Sequence, residues 1–376
     1  MAERAFQNLP LFSDEDCFEE ADETLLLNET LLLNAIQNCK SVDSLRSLRK
    51  AIAEIKRRVC DHQDEMRTRS NENKAVEFSK SYLLADLAQI SDSLTIERAH
   101  YYIDRLIKGV SEVRTSSIND INLNRWKEYE EIYTDSLWLI GRRDNSGSHT
   151  AGYWGNFIPQ IPYQMMHRYT KKGDWVLDTF AGSGTTLIEG QRLGRHTLGI
   201  ELQPRMVEHA RRLVASETNR YFVTTDVVNA DSTTIDYESI LLSYKTESVQ
   251  LVIMHPPYFD IIKFSDDPRD LSNASSIEGF LAMMGKVVDN VIPILDKGRY
   301  LVLVIGDKYV KGDWIPLGFQ TMNEVMSRGF SLKSIIVKNF EDTSGKRNQK
   351  ELWRYRALVG GFYIFKHEYI FIFKKQ

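Results

Sequence analysis

The chain has 376 residues, 42% hydrophobic and 27% charged, which fits a globular protein with one large domain and a smaller module. No apolar run approaches the roughly 18 residues that span a bilayer, and the acidic N-terminus does not read as a secretory signal, so no membrane association and a cytoplasmic location are expected. Cys17, Cys39 and Cys60 show no metal-ligand spacing and suit reduced thiols; neither a disulfide framework nor a bound metal is expected.

The net charge of −4 is unevenly spread. Residues 1–38 carry nine acids and one base, whereas residues 333–376 carry ten bases and four acids. A basic C-terminal segment on an acidic chain is what a local polyanion contact needs, although a solvated basic face would have the same composition.

In chain order, proline is absent between Pro10 and Pro159, and the intervening stretch is rich in helix formers. Ser41 offers an N-cap for a helix whose Leu45, Leu48, Ile52 and Ile55 recur at helical spacing. A second helix is expected over Ala75–Ile90 and a third from near Ser93. The Thr-Leu-Leu-Leu-Asn echo at Thr24 and Thr30 is too short to imply a repeat fold. Ser111–Asn124 is polar and reads as a linker. Residues 1–120 are therefore expected to form an all-helical module that could dimerise, clamp DNA, hold a partner subunit or simply cap the next domain.

From Trp175 the texture becomes α/β. Strands are expected at Trp175–Asp178, Leu198–Glu201, Tyr221–Val223, Leu251–Met254, Tyr300–Ile305 and Tyr369–Phe373, with helices between the earlier ones. That alternation predicts a doubly wound, mainly parallel sheet over 121–376, with ligands beyond the carboxyl ends of the strands.

Asp178-Thr-Phe180-Ala-Gly182-Ser183-Gly184-Thr185-Thr186 is the strongest local signal. An acid ends a buried strand, glycines let the backbone turn tightly beside a ligand, and a helix follows with free N–H groups. A second strand ends at Glu201, whose carboxylate could accept both hydroxyls of a ribose. The spacing is not the dinucleotide Gly-x-Gly-x-x-Gly, and no Walker Gly-Lys-Ser/Thr occurs.

These residues resemble the first motif of the DNA amino-methyltransferases, the adenine-N6 and cytosine-N4 enzymes. Phe157-Ile-Pro159-Gln-Ile-Pro162 is similar to the motif that precedes it in that family. The resemblance covers roughly residues 150–376. It implies a Rossmann-like methyltransferase sheet that binds S-adenosyl-L-methionine, with Phe157 and Pro159 against the methionine end. Asp178 would lie near the amino group, Glu201 at the ribose, and Asp231 near the adenine amino group.

His255-Pro256-Pro257-Tyr258 follows a strand, and its prolines stiffen the loop. The family places an Asp, Asn or Ser at the first position. That side chain and the first proline's carbonyl accept the hydrogens of an exocyclic amine and localise its lone pair, while the tyrosine stacks on the flipped base. Here the first residue is His255. Neutral imidazole has one acceptor nitrogen and protonated imidazole has none. Activity is therefore expected to fall as pH drops through the His255 pKa, near 6.5 for an unperturbed imidazole. No cysteine lies in this region, which disfavours cytosine-C5 chemistry.

Phe259–Ser265 and the polar stretch to Asp270 look like a segment able to close over the base. Lys346, Arg347, Lys350, Trp353, Arg354 and Arg356 combine phosphate-neutralising bases with a stacking aromatic and are the expected nucleic-acid contacts. His367 reads as structural. The resemblance thus implies methyl transfer to an amino group of double-stranded DNA, adenine N6 ahead of cytosine N4, in a restriction-modification or phage-defence setting. RNA base N-methylation (tRNA guanine N2) and an inactive cofactor- and DNA-binding scaffold are the alternatives.

Overall fold

The computed structural model describes residues 23–68, 74–149, 155–310, 313–339 and 350–376. They form two compact units, one of residues up to 114 plus 122–129, the other of 115–121 plus 130–376. The expected boundary at 120/121 falls where the chain passes between units more than once.

The first unit contains strand β1 (Thr24–Asn28), helices α1 (Glu29–Asn38) and α2 (Leu45–Cys60), strand β2 (Ala75–Ser79), and helices α3 (Lys80–Ser91) and α4 (Ile96–Ser111). It is thus not wholly helical, because β1 and β2 pair antiparallel from Thr24↔Ser79 to Asn28↔Ala75. Leu25 and Leu27 are buried at strand spacing, whereas Leu32 and Ile36 are buried at helical spacing, and all four join one core. Side-chain caps set the helix starts. Asn28 accepts from the Leu31 N–H, Ser44 (not Ser41) from Ser47, Ser79 from Tyr82 and Thr95 from Arg98. The second expected helix therefore begins at Lys80, since Ala75–Ser79 are taken by the ribbon.

In the second unit come β3 (Leu137–Trp138), α5 (Gln160–Tyr169), β4 (Trp175–Asp178), α6 (Thr185–Leu193), β5 (His196–Glu201), α7 (Pro204–Ser216), β6 (Thr225–Asn229), α8 (Tyr237–Ser243) and β7 (Val249–Met254). They are followed by α9 (Ile277–Val291), β8 (Leu295–Ile305), the ribbon β9 (Lys308–Val310) and β10 (Asp313–Ile315), α10 (Leu317–Met326), β11 (Phe330–Asn339), α11 (Lys350–Gly360) and β12 (His367–Lys375). Eight strands make one sheet in the order β3-β11-β12-β8-β7-β4-β5-β6. β8-β7-β4-β5-β6 run parallel, and β12 is antiparallel to both β8 and β11. This is the α/β doubly wound class.

The segment Tyr221–Val223 is not a strand. Tyr221 and Phe222 are exposed, and pairing with β5 starts at Thr225, where Val227 supplies the buried side chain. The chain runs outward from β4 through β5 and β6, then returns to β7 on the other side of β4. That reversal opens a crevice at the carboxyl ends of β4 and β7. β7 is anchored there by Leu251, Val252, Ile253 and Met254, all fully buried, each worth about 1.5–3 kcal/mol.

Residues 115–121, read as linker, are pinned to the second unit by a buried cation. The Arg195 guanidinium donates to both Asp120 oxygens (2.9 and 3.0 Å), to Thr170 and to the Leu193 carbonyl. Arg195→Ala strands those acceptors, so it is expected to destabilise the protein by about 3 kcal/mol. Calorimetric unfolding checks this, and an unchanged transition would show the contact to be dispensable.

Candidate active site

The crevice holds a pocket lined by residues from the loops after β4, β5, β6 and β7 and from the segment before α5. The β4 loop makes the near wall. Gly182 and Gly184 have φ of 50° and 87°, the left-handed region that side chains other than glycine's resist. Loop and neighbouring strands are laced together, with the Ala181 N–H donating to the Ile200 carbonyl and Thr179 to Ile253. Gly199 on β5 permits this approach, because a Cβ there would come within 2.7 Å of Ala181.

Glu201 ends β5 and reaches back to the loop. Its carboxylate accepts the Gly182 N–H (3.0 Å) and the Gln203 N–H (2.8 Å). Burial pushes its pKa up, against the pull of those two amides. Each oxygen retains a free lone pair, so the group can accept a pair of hydroxyls from a guest. Asp178 lies behind the wall, buried. Its Oδ1 accepts from Phe180 N–H, and Oδ2 makes no hydrogen bond of good geometry. Burial raises the Asp178 pKa to about 6, with Thr186 and the Phe180 amide opposing.

Phe157, Phe180, Gly182, Ser183, Glu201, Asp231, His255, Pro256 and Pro257 all line the pocket. Asp231 also holds its own turn, accepting from the Thr233 N–H and hydroxyl. Other expected residues stand back from it. Pro159 caps α5, Gly184 caps α6, and Thr185 donates to Asn156 across 2.6 Å, tying the helix to the segment before α5. Asn156, Phe264 and Leu271 line the pocket without having been singled out, beside Arg269 and Asp270 of the polar stretch. The last four belong to the polar segment after Tyr258, which here packs as a wall whose turn is held by Asp270.

His255 stacks on Phe157, with centroids 4.8 Å apart and planes at 25°. Burial lowers its pKa to about 4, with Glu368 opposing and Lys338 assisting. The loss of activity expected near pH 6.5 is therefore displaced downward, and the imidazole stays neutral throughout the ordinary working range. Tyr258 does not line the pocket. Its ring lies against Gly306, where a Cβ would sit 3.0 Å away, and its hydroxyl donates to Glu368 (2.7 Å) while lying 3.2 Å from His255 Nε2. Glu368 in turn pairs with Lys338 (2.9 Å), its direct cross-strand neighbour. Nothing in the sequence links Lys338 or Glu368 to Tyr258, from which they are 80 and 110 residues away.

Of the expected nucleic-acid contacts, Lys346 and Arg347 lie outside the described residues. Lys350, Trp353, Arg354 and Arg356 lie on α11. Arg354 and Arg356 are exposed, and the Arg356 guanidinium sits 5.4 Å from the Trp353 ring centre. Among the described residues no acid–His–Cys cluster could hold a metal, and no helix is long and apolar enough to cross a membrane.

The chain is similar to several Type II methyltransferases. M.MjaII of Methanocaldococcus jannaschii is 40% identical over 87 residues, covering 21% of this chain and 16% of that protein. M2.DpnII of Streptococcus pneumoniae is 32% identical over 100 residues (25% and 34%), and M.Cfr9I of Citrobacter freundii 35% over 85 residues (22% and 27%). The matches thus span about a sixth to a third of these relatives' lengths. Among solved structures, TrmN from Thermus thermophilus superposes with a TM-score of 0.38 at 16% identity, over 58% of this chain and 49% of that one. The magnesium protoporphyrin IX methyltransferase ChlM from Synechocystis, solved with bound SAM, gives 0.33 at 15%, over 54% and 71%. The DNA methylase family model matches residues 49–212 and 249–376, most of the sequence, and the chain belongs to that family.

Proposed function

We propose that the chain transfers a methyl group from S-adenosyl-L-methionine to the exocyclic amino group of a base in double-stranded DNA, adenine N6 ahead of cytosine N4. The observation that carries this reading is that one pocket is lined both by Gly182, Glu201 and Asp231 and by His255, Pro256 and Pro257. A donor site and an amine-activating lip adjoin, as direct in-line transfer requires.

The residues suit the cofactor. Glu201 has spare lone pairs for the ribose hydroxyls and Asp231 is an acceptor for the adenine amino group, while Asp178, which does not line the pocket, would hold the loop beside the methionine end by accepting the Phe180 N–H. Bound there, the cofactor supplies an electrophilic sulfonium methyl. The chain's own part is to hold the base amine. His255 and the Pro256 carbonyl would accept its hydrogens, turning a delocalised lone pair toward tetrahedral nitrogen. Burial keeps His255 neutral for that purpose. An accepting imidazole also favours an active enzyme over an inert scaffold. The Type II relatives make a restriction endonuclease the natural partner, and the first unit is the part available to bind one or to dimerise.

Incubation with labelled cofactor and either duplex DNA or tRNA, followed by nucleoside mass spectrometry, tests the reading. N6-methyladenine or N4-methylcytosine is expected. Methylation of tRNA guanine, or none of either polymer, would sink it. Glu201→Gln is expected to weaken cofactor binding about 10- to 100-fold by calorimetry, the value of one or two hydrogen bonds to a charged acceptor; unchanged affinity would remove Glu201 from the site. Replacing Arg354 and Arg356 by Ala is expected to weaken DNA binding on any sequence and to flatten its salt dependence by about 0.9 in log–log slope per lost phosphate contact. A slope equal to the parent's would place DNA elsewhere.

A further inference from the structure

His255 poses a problem that a carboxylate or amide does not. Neutral imidazole carries one hydrogen on either of two nitrogens, and only the bare nitrogen can accept. Which nitrogen is bare is decided by the bond the other one makes.

The chain of contacts behind His255 decides it. Glu368 is buried in an ion pair with Lys338, and both side chains are only 6% exposed. A carboxylate has lone pairs and no hydrogen, so at its 2.7 Å contact with Tyr258 it must accept. The phenol has a single hydrogen, which is thereby committed to Glu368. Facing His255 across 3.2 Å, the Tyr258 oxygen has only lone pairs left, so the hydrogen between them belongs to His255 Nε2. Among the described residues no protein group bonds Nδ1. The ring is also held in its plane by Phe157 on one face and by Tyr258 edge-on, at 90°.

We propose that Tyr258, Glu368 and Lys338 are positioning residues that lock His255 in its Nε2–H tautomer, leaving the Nδ1 lone pair as the acceptor for the guest's amino hydrogen. The relay rests on the amine-methylating role proposed above, but its tautomer can be read without any substrate. Tyr258 here acts through its hydroxyl, not through the face of its ring.

The test joins spectroscopy to a mutant cycle. In full-length protein labelled with 15N-histidine, with the His255 signals assigned by their loss in His255→Asn, the lone-pair resonance is expected on Nδ1 and the N–H resonance on Nε2. Tyr258→Phe keeps the ring and its stacking surface but removes the relay. It is expected to mix the tautomers and slow single-turnover methylation about tenfold, the value of one buried hydrogen bond, with the DNA Kd unchanged. In a His255→Asn background, where the amide oxygen accepts regardless of tautomer, Tyr258→Phe is expected to have no effect on rate. The charge-neutral pair Lys338→Met with Glu368→Gln is expected to reproduce the Tyr258→Phe spectrum if it folds. A wild-type Nδ1–H tautomer, an unchanged rate in Tyr258→Phe, or equal slowing in both backgrounds would each overturn the relay. If DNA is not methylated at all, the proposed function fails, while the tautomer spectra of wild type and Tyr258→Phe still decide the relay.

Discussion

The adjacency of β4 and β7 is the constraint on which the site depends. The two strands pair in parallel from Val176↔Leu251 to Asp178↔Ile253. Because parallel strands end at the same edge, the loop after Asp178 and the loop after Met254 must emerge side by side. Crossovers leave β4 in one direction and return to β7 from the other, so no helix covers the gap between them. Two motifs about 70 residues apart in sequence thus share one pocket through the pairing of their strands, which the Thr179 N–H extends by donating to the Ile253 carbonyl. The full burial of Leu251–Met254 makes a register slip costly, since shifting a strand by one residue exchanges its two faces.

Polar groups gather where this sheet could least afford them. Burial raises the pKa of Asp178 and Glu201 and lowers that of His255, so each is held in surroundings that disfavour its charge. Glu201 is compensated by two amide donors, and Asp178 by one. Asp178 Oδ2 is left without a well-formed bond. Incomplete satisfaction of this kind destabilises a fold, and clustering at a ligand edge is where it has a use. A cationic guest would lower the Asp178 pKa again, and its binding energy would then be reported as added stability.

What the sequence revealed was local. Asp178–Thr186 and His255–Tyr258 each lie at a strand end with turn chemistry and polar side chains within a dozen residues, so pattern drew attention to them and the family resemblance implied their roles. The two Thr-Leu-Leu-Leu-Asn copies show where pattern fails. One is β1 and the other lies within α1, because β2 is present to pair with the first and Asn28 caps the second. Tyr221–Val223 had strand propensity, but Tyr221 and Phe222 are exposed and only Val223 is buried. The longest-range features were illegible. Glu368 meets Tyr258, and Lys338 meets Glu368, only through the order β11-β12-β8-β7, in which an antiparallel strand enters an otherwise parallel run. Nor does the family pattern hint that Tyr258 uses its hydroxyl, since in that pattern its ring is what matters. Pro159 and Gly184 belong to motifs that line the pocket but do not line it themselves.

On the proposed relay, histidine at the head of the tetrapeptide would account for the buried ion pair that stands behind Tyr258. Asparagine or aspartate presents an acceptor oxygen by covalent structure, so only its rotamer needs fixing. Imidazole needs its rotamer, its charge and its tautomer fixed. Burial against Phe157 settles the first two, and neither Phe157 nor any apolar neighbour can settle the third. That takes a group that accepts and cannot donate, passed through a hydroxyl whose one hydrogen is already spoken for. Glu368 meets this need only while ionised, which a buried carboxylate manages only beside a cation. Lys338, its cross-strand neighbour, is that cation. A buried pair of this type adds little net stability compared with apolar side chains of the same size. Its value to the molecule would therefore lie in direction: an asymmetry of charge at the sheet, relayed through one phenol, becomes an asymmetry between two nitrogens.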